Sequence, residues 1–198
     1  MPTPTSDPFR ARSGRVAGPA LACVLALGVS ACGDDPFAFD WDDTPQTVLL
    51  YSLARPELNL ESGYAFRQHQ RVRVEAAAAT GNWDAALDTR AGALVWLPPG
   101  ALGVAGSAAR ITTLPGVTLE DVIVAPSDTT LYTASEPVPI EMGTVYIIKT
   151  SRTQGAFGSS CVYYAKAEAQ VLDPIGGALT FRYVTSPICN SLELIPPD

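Results

Sequence analysis

Residues 161–189 read CVYYAKAEAQVLDPIGGALTFRYVTSPIC. Two β-rich runs, Cys161–Leu172 and Ala178–Thr185, flank Asp173-Pro174-Ile175-Gly176-Gly177, a set of residues that turns a chain. The stretch therefore reads as a β-hairpin. Partners across a turn centred there have residue numbers that sum to about 350, and Cys161 with Cys189 obeys the same sum. The two cysteines are thus expected to face each other at the open end of the hairpin. Side chains alternate along a strand, so Leu179, Phe181 and Tyr183 share one face while Thr180 and Arg182 point the other way.

The same texture extends back to Thr47. Candidate strands are Thr47–Leu53, Gln70–Ala77, Trp83–Asp88, Ala93–Leu97, Ala109–Thr113, Val122–Ala125 and Thr144–Thr150. Between them lie Pro98-Pro99-Gly100, Leu114-Pro115-Gly116 and Pro137–Pro139. Only Pro56–Ser62 and Val117–Val122 suit a short helix, and no internal repeat is visible. Short strands at this spacing predict an all-β fold, a single antiparallel β-sandwich or folded-sheet domain over residues 47–198. The composition agrees: 47% of the 198 residues are hydrophobic and 17% charged, with 16 Gly and 17 Pro. That is apolar enough for a core and too apolar for wholesale disorder.

The front of the chain reads differently. Arg10, Arg12 and Arg15 precede an apolar run, Ala20–Val29 (ALACVLALGV), which Ser30 and Ala31 follow. The run is too short to span a bilayer core of about 30 Å as a helix, so residues 1–31 read as a secretion signal. Val29-Ser30-Ala31-Cys32 resembles the bacterial lipobox. That resemblance implies cleavage before Cys32 and its lipidation, and several acyl chains give a durable membrane tether where one does not.

Loss of residues 1–31 removes three arginines and Asp7, which leaves 10 basic and 19 acidic residues and a formal charge of −9. Such a surface repels phosphate backbones and disfavours nucleic acid as a partner. Residues 32–46 carry Asp34, Asp35, Asp40, Asp42 and Asp43 and read as an acidic tether; they lack the alternate spacing and the glycine of an EF-hand. Asp34-Asp35 also resembles the acidic surface-export signals of some bacterial lipoproteins. With Cys23 in the leader and Cys32 lipidated, Cys161 and Cys189 remain, and two thiols in an oxidising compartment suggest one disulfide.

No catalytic set is legible. The single histidine, His69, excludes multi-histidine zinc sites, and a Ser-His-Asp triad would have to recruit it from the polar stretch RQHQR. Gly106-Ser107 and Gly158-Ser159 do not sit in G-x-S-x-G. The glycines of Gly100–Gly106 lack the Lys-Ser/Thr of a phosphate loop. Asp84, Asp88, Glu120 and Asp121 are scattered carboxylates with no evident convergence.

From residue 81 the order of segments resembles the HmuY-like lipoproteins. Gly81–Asp88 (GNWDAALD) is similar to that family's W-D strand, and Gly100–Gly106 to its Gly-rich loop. Val117–Val122 with Ala125-Pro126-Ser127-Asp128 is similar to its A-P-x-D segment, and Thr144–Thr150 (TVYIIKT) to its Y-V-I-R-T strand. Tyr163–Lys166 resembles Y-A-K, and Leu179–Val184 the closing L-T-F-x-Y strand. The likeness covers residues 81–185. It implies an all-β, lipid-anchored protein that binds haem, taken from its surroundings or from a haem-carrying protein, through histidine or methionine ligands. This chain departs there, because His69 precedes the Trp83 segment. Met142 is the only methionine after the leader, and its thioether could bind haem iron; as a residue type it more often fills gaps in a core.

These readings make the chain an exported, non-enzymatic, ligand-binding lipoprotein of the cell envelope. It is held at the outer membrane, on the periplasmic side or at the cell surface, with haem or a porphyrin as the candidate ligand and Met142 or His69 as the candidate axial group. The alternative is a tethered β-domain that docks on another envelope protein through strand edges. A cleft at Met142 or His69 wide enough for a flat macrocycle would favour the first, and a shallow surface there the second.

Overall fold

The computed structural model describes residues 41–57, 59–155 and 158–197. The expected leader 1–31, Cys32 and the tether as far as residue 40 lie outside the described residues. Among the described residues, twelve strands build two five-stranded antiparallel sheets and a two-stranded ribbon. The first sheet runs β1 (Gln46–Tyr51), β12 (Ala178–Thr185), β11 (Tyr164–Asp173), β8 (Thr144–Lys149), β6 (Arg110–Pro115). The second runs β3 (Gln70–Val72), β2 (Gly63–Ala65), β4 (Ala85–Arg90), β5 (Ala93–Leu97), β7 (Val138–Pro139). In the ribbon, β9 (Thr153–Gln154) pairs with β10 (Ser160–Cys161). The all-β sandwich expected from the sequence is the fold.

Three apolar clusters hold it. The main one lies between the sheets and joins Leu50, Ile111, Tyr146, Ile148, Leu179, Phe181 and Tyr183 of the first to Tyr64, Ala85, Leu87, Leu94, Trp96 and Val138 of the second. A second covers the outer face of the first sheet, where Leu119, Val122, Ala125 and Leu194 pack on Val145, Ile147, Tyr164 and Val184. A third covers the outer face of the second sheet, where Leu53, Val72, Val74, Ala101 and Val104 surround Trp83, Ala86, Val95 and Leu97. Central strands are thus covered on both sides. That is why TVYIIK and ALVWL are continuous apolar runs and do not alternate.

The quoted hairpin forms as expected. Ala165 faces Thr185, Lys166 faces Val184 and Ala169 faces Phe181, each pair summing to 350. Beyond Ala169 the register shifts: Val171 faces Thr180 and Asp173 faces Ala178, pairs that sum to 351. Gln170 is the extra residue of a β-bulge, and a single insertion swaps the faces of everything after it. Leu172 therefore packs on the main cluster while Val171 is 58% exposed. The turn itself is held by the Asp173 carboxylate, which accepts the Gly176 N–H at 2.7 Å. A Cβ at position 176 would strike that carboxylate, and Gly177 adopts φ +62°.

The disulfide joins Cys161 and Cys189, with Cα atoms 5.1 Å apart. It closes the open end of the hairpin, though not through one continuous strand. The run expected over Cys161–Leu172 breaks at Val162-Tyr163, so Cys161 belongs to β10 and the sheet strand starts at Tyr164. Asn190 bridges the break: its N–H donates to the Val162 carbonyl (2.8 Å) and its side-chain oxygen accepts from the Val162 N–H (3.0 Å).

Other expectations are corrected. Neither the described residues of Pro56–Ser62 nor Val117–Val122 are helical. In the second, Thr118 donates its N–H and hydroxyl to the Asp121 carboxylate (3.1 and 2.7 Å), which closes a turn that drops Leu119 and Val122 onto the first sheet. Val122–Ala125 makes only one isolated bridge, Val124 to Glu193. Trp83 precedes its strand, which starts at Ala85. The strands at Gly63–Ala65, Val138–Pro139 and Thr153–Gln154 are too short to give an alternating signal.

The disulfide closes a loop with a sequence separation of 28, so loss of the bond is expected to cost about 3–4 kcal/mol. Urea unfolding of a Cys161→Ser/Cys189→Ser variant checks this; a midpoint equal to the wild type would show that the bond adds no stability.

Candidate functional site

The two residues singled out as haem ligands are far apart. His69 ends the turn between β2 and β3 with φ +53°, at one edge of the second sheet. Met142 lies in the turn after β7, at the opposite edge, and is 57% exposed. Three strand spacings separate β2 from β7, about 14 Å. The register adds a second separation. Tyr64, near the His69 turn, faces Ala85 at the start of β4, whereas Met142 follows Pro139, which faces Val95 toward the Arg90–Ala93 end. The two occupy diagonally opposite corners of the sheet, and neither lines any of the clefts described below.

His69 is engaged from behind. Tyr64 donates its hydroxyl to the Tyr183 hydroxyl at 2.5 Å, and Tyr183 donates to the Gln46 side-chain oxygen at 2.7 Å. His69 Nδ1 lies 2.8 Å from the same Tyr183 oxygen. Because that oxygen has directed its own proton to Gln46, Nδ1 carries the proton and donates it. Nε2 keeps its lone pair. Partial burial of the ring and the charge of Arg67 hold its pKa below the usual histidine range.

Asp84 is 3% exposed, the most deeply buried carboxylate among the described residues. One oxygen accepts the Phe66 N–H at 2.9 Å and the other the Ser151 N–H at 2.7 Å, so this side chain ties the end of β2 to the end of β8. Burial pushes its pKa up to about 6 against the pull of these two hydrogen bonds. Both oxygens are occupied, and the adjoining cleft, lined by Arg67, Asn82 and Arg152, holds only about 90 Å³. Asp84 is a clamp.

Lys166 is the second buried charge, 4% exposed on the outer face of β11. Its ammonium donates to the Val122 carbonyl at 2.8 Å and makes no ion pair among the described residues. Nearby Glu120 is taken by Arg182, which grips it at 2.6 and 3.0 Å and also holds Glu168 at 2.7 Å. Burial holds the Lys166 pKa below the usual lysine range, opposed by the charges of Glu120 and Asp43. Above the ammonium opens a cleft of about 200 Å³ lined by Asp43, Pro45, Leu119, Glu120, Val184 and Ile195. A larger hollow of about 400 Å³ lies beside the hairpin turn, but its cation, Arg55, already binds Glu57 and the Gly176 carbonyl.

His69 and Met142 stand out in the sequence by residue type, and Lys166 does not. The available signal was the alternation Ala165, Ala167, Ala169 on one face, which leaves Lys166 on a face that a covered strand also buries. No group of three or more His, Cys, Asp or Glu among the described residues is placed to hold a metal ion. No family model matches the chain, and no curated protein or solved structure matches it either.

The Asp84 clamp is expected to show in pH dependence. Its carboxyl pKa is raised from the ordinary 3.8, so its stabilisation is complete below that value and is lost as pH climbs through about 6. The stability difference between wild type and Asp84→Asn should therefore move against the wild type by roughly 3 kcal/mol from acid to neutral pH. Urea titrations at both pH values measure it, and a constant difference would refute the assignment.

Proposed function

We propose that this chain is an exported, lipid-anchored, non-enzymatic binding domain of a bacterial cell envelope. The observation that carries the reading is the Cys161–Cys189 bond in a chain whose other two cysteines are Cys23, inside the apolar leader run, and Cys32, at the lipobox-like site. Disulfides persist in oxidising compartments, so the bond and the leader point to the same place. The acidic tether sets a folded domain off from the membrane, and the lipid on Cys32 holds it there. Asp84, the one buried carboxylate with a raised pKa among the described residues, spends both oxygens on backbone N–H groups, which favours binding over catalysis as the domain's work.

Haem is the ligand that the family resemblance suggests, and the separation of His69 from Met142 disfavours a macrocycle held between them. Attachment through one of them would leave the porphyrin on an open surface. The docking alternative draws on Ile123 and Val124, 53% and 51% exposed beside Ile195, Pro196 and Pro197.

Two measurements test the reading. Mass spectrometry of the protein from cells is expected to find a diacylglyceryl-modified N-terminal Cys32 in the membrane fraction, and Cys32→Ala to abolish both; a full-length, unmodified cytosolic product would overturn export. Haemin added at micromolar concentration to residues 33–198 is expected to give no Soret shift that depends on His69 or Met142. A shift lost in His69→Ala or Met142→Ala would restore the porphyrin ligand.

A further inference from the structure

A buried ammonium is costly unless it is paired or fully hydrogen-bonded. Lys166 has three N–H donors and uses one, on the Val122 carbonyl; among the described residues no other acceptor serves it. The two carboxylates that share its cleft do not close the gap. Glu120 is held by two hydrogen bonds from Arg182, and Asp43 sits on an exposed rim without forming an ion pair to it. The remaining walls are Pro45, Leu119, Val184 and Ile195, all apolar. The cleft is therefore walled by apolar side chains, with one partly unsatisfied ammonium at its base and the carboxylates of Glu120 and Asp43 at its rim.

We infer that this cleft binds a small monocarboxylate with a short alkyl body. The carboxylate would accept the two unused Lys166 N–H groups, a charge-assisted pairing. The alkyl part would lie on Pro45, Leu119, Val184 and Ile195. Size sets the scale of the part that is held: about 200 Å³ corresponds to some seven water volumes of about 30 Å³, hence a seated body of about five to eight heavy atoms. Charge sets the class. One ammonium balances one negative charge, and Glu120 and Asp43 at the rim penalise a second, so a phosphate or dicarboxylate fits worse. An amine is disfavoured at the base by Lys166 itself.

The inference rests on the reading of the domain as a binder and not on its lipid anchor. Among the described residues, both large sheets, the three apolar clusters and the disulfide are built from residues 46–194, all of which residues 33–198 contain. Amide NMR titration of that domain with butyrate and hexanoate, against inorganic phosphate and butylamine, tests it. Saturable shifts at Leu119, Lys166, Val184 and Ile195 are expected, with a dissociation constant in the millimolar range or tighter. Phosphate and butylamine should bind at least about tenfold more weakly. Lys166→Met should cost at least about tenfold in affinity, and Lys166→Arg should restore part of it. Should Lys166→Met fail to fold, Ile195→Glu, on the partly exposed wall, sets a like charge against the ligand and should weaken binding with Lys166 intact. No saturation by either carboxylate, equal binding of phosphate, or undiminished binding by both Lys166→Met and Ile195→Glu would overturn the inference. None of these outcomes bears on whether Cys32 is lipidated, so the two readings fail separately.

Discussion

Between the two sheets Phe181 stands edge-on to Trp96, with ring centroids 5.2 Å apart, and Tyr64 meets Phe66 and Tyr183 at 5.0 and 5.1 Å in the same geometry. These rings come from β12 on one side and from β2, the turn after it and β5 on the other. Edge-to-face pairs add a directional preference to the non-directional gain of burying large apolar surfaces. They set which face of β12 looks inward, and β12 sits between β1 and β11. Once Phe181 and Tyr183 point into the core, Lys166 and Arg182 must point outward to the second layer of packing. The polar features of the molecule thus inherit their positions from an apolar constraint.

The domain handles its two buried charges in contrasting ways. Asp84 receives two backbone N–H groups and is satisfied on both oxygens, at the cost of a pKa moved toward neutrality. Lys166 receives one carbonyl and an opening. The first arrangement locks two loop ends together and leaves nothing exposed to react. The second leaves a mostly buried charge at the base of an open cleft with apolar walls, a combination that surface lysines, screened by water and salt, do not offer. The outer layer made by residues 117–125 and 192–195 is what turns an ordinary strand lysine into a buried one.

Much of the architecture could be read from residues alone. The bounds Ala93–Leu97 and Ala178–Thr185 were legible because turn residues flank them, and the hairpin centre because Asp173-Pro174 and Gly176-Gly177 admit few other conformations. The cysteine pairing followed from the two thiols left after the leader and the lipobox-like site, and that centre placed them opposite each other. Strands of two or three residues were not legible, since alternation needs several residues to declare itself, and Val138–Pro139 even contains a proline. The expected helix at Val117–Val122 failed because its apolar spacing serves packing onto a sheet, which a turn satisfies as well as a helix. The cleft escaped because a single lysine carries no local mark of burial; only the segments that arrive from residues 43–45, 119–120 and 195 make it one. His69 and Met142 were chosen for their chemistry, and chemistry says nothing about which corner of a sheet a residue will occupy.

The extra residue at Gln170 means that the chain near the turn runs half a period out of step with the chain near the disulfide. In effect β11 is written in two phases, with Ala165, Ala167 and Ala169 odd-numbered on the inside and Leu172 even-numbered. Length changes between Ala169 and the turn are therefore not equivalent. Removing Gln170 would abolish the bulge, keep Val171 outward and Leu172 inward, and restore a single alternation throughout, whereas removing a residue from the regular part of the strand would turn the side chains beyond it to the opposite face.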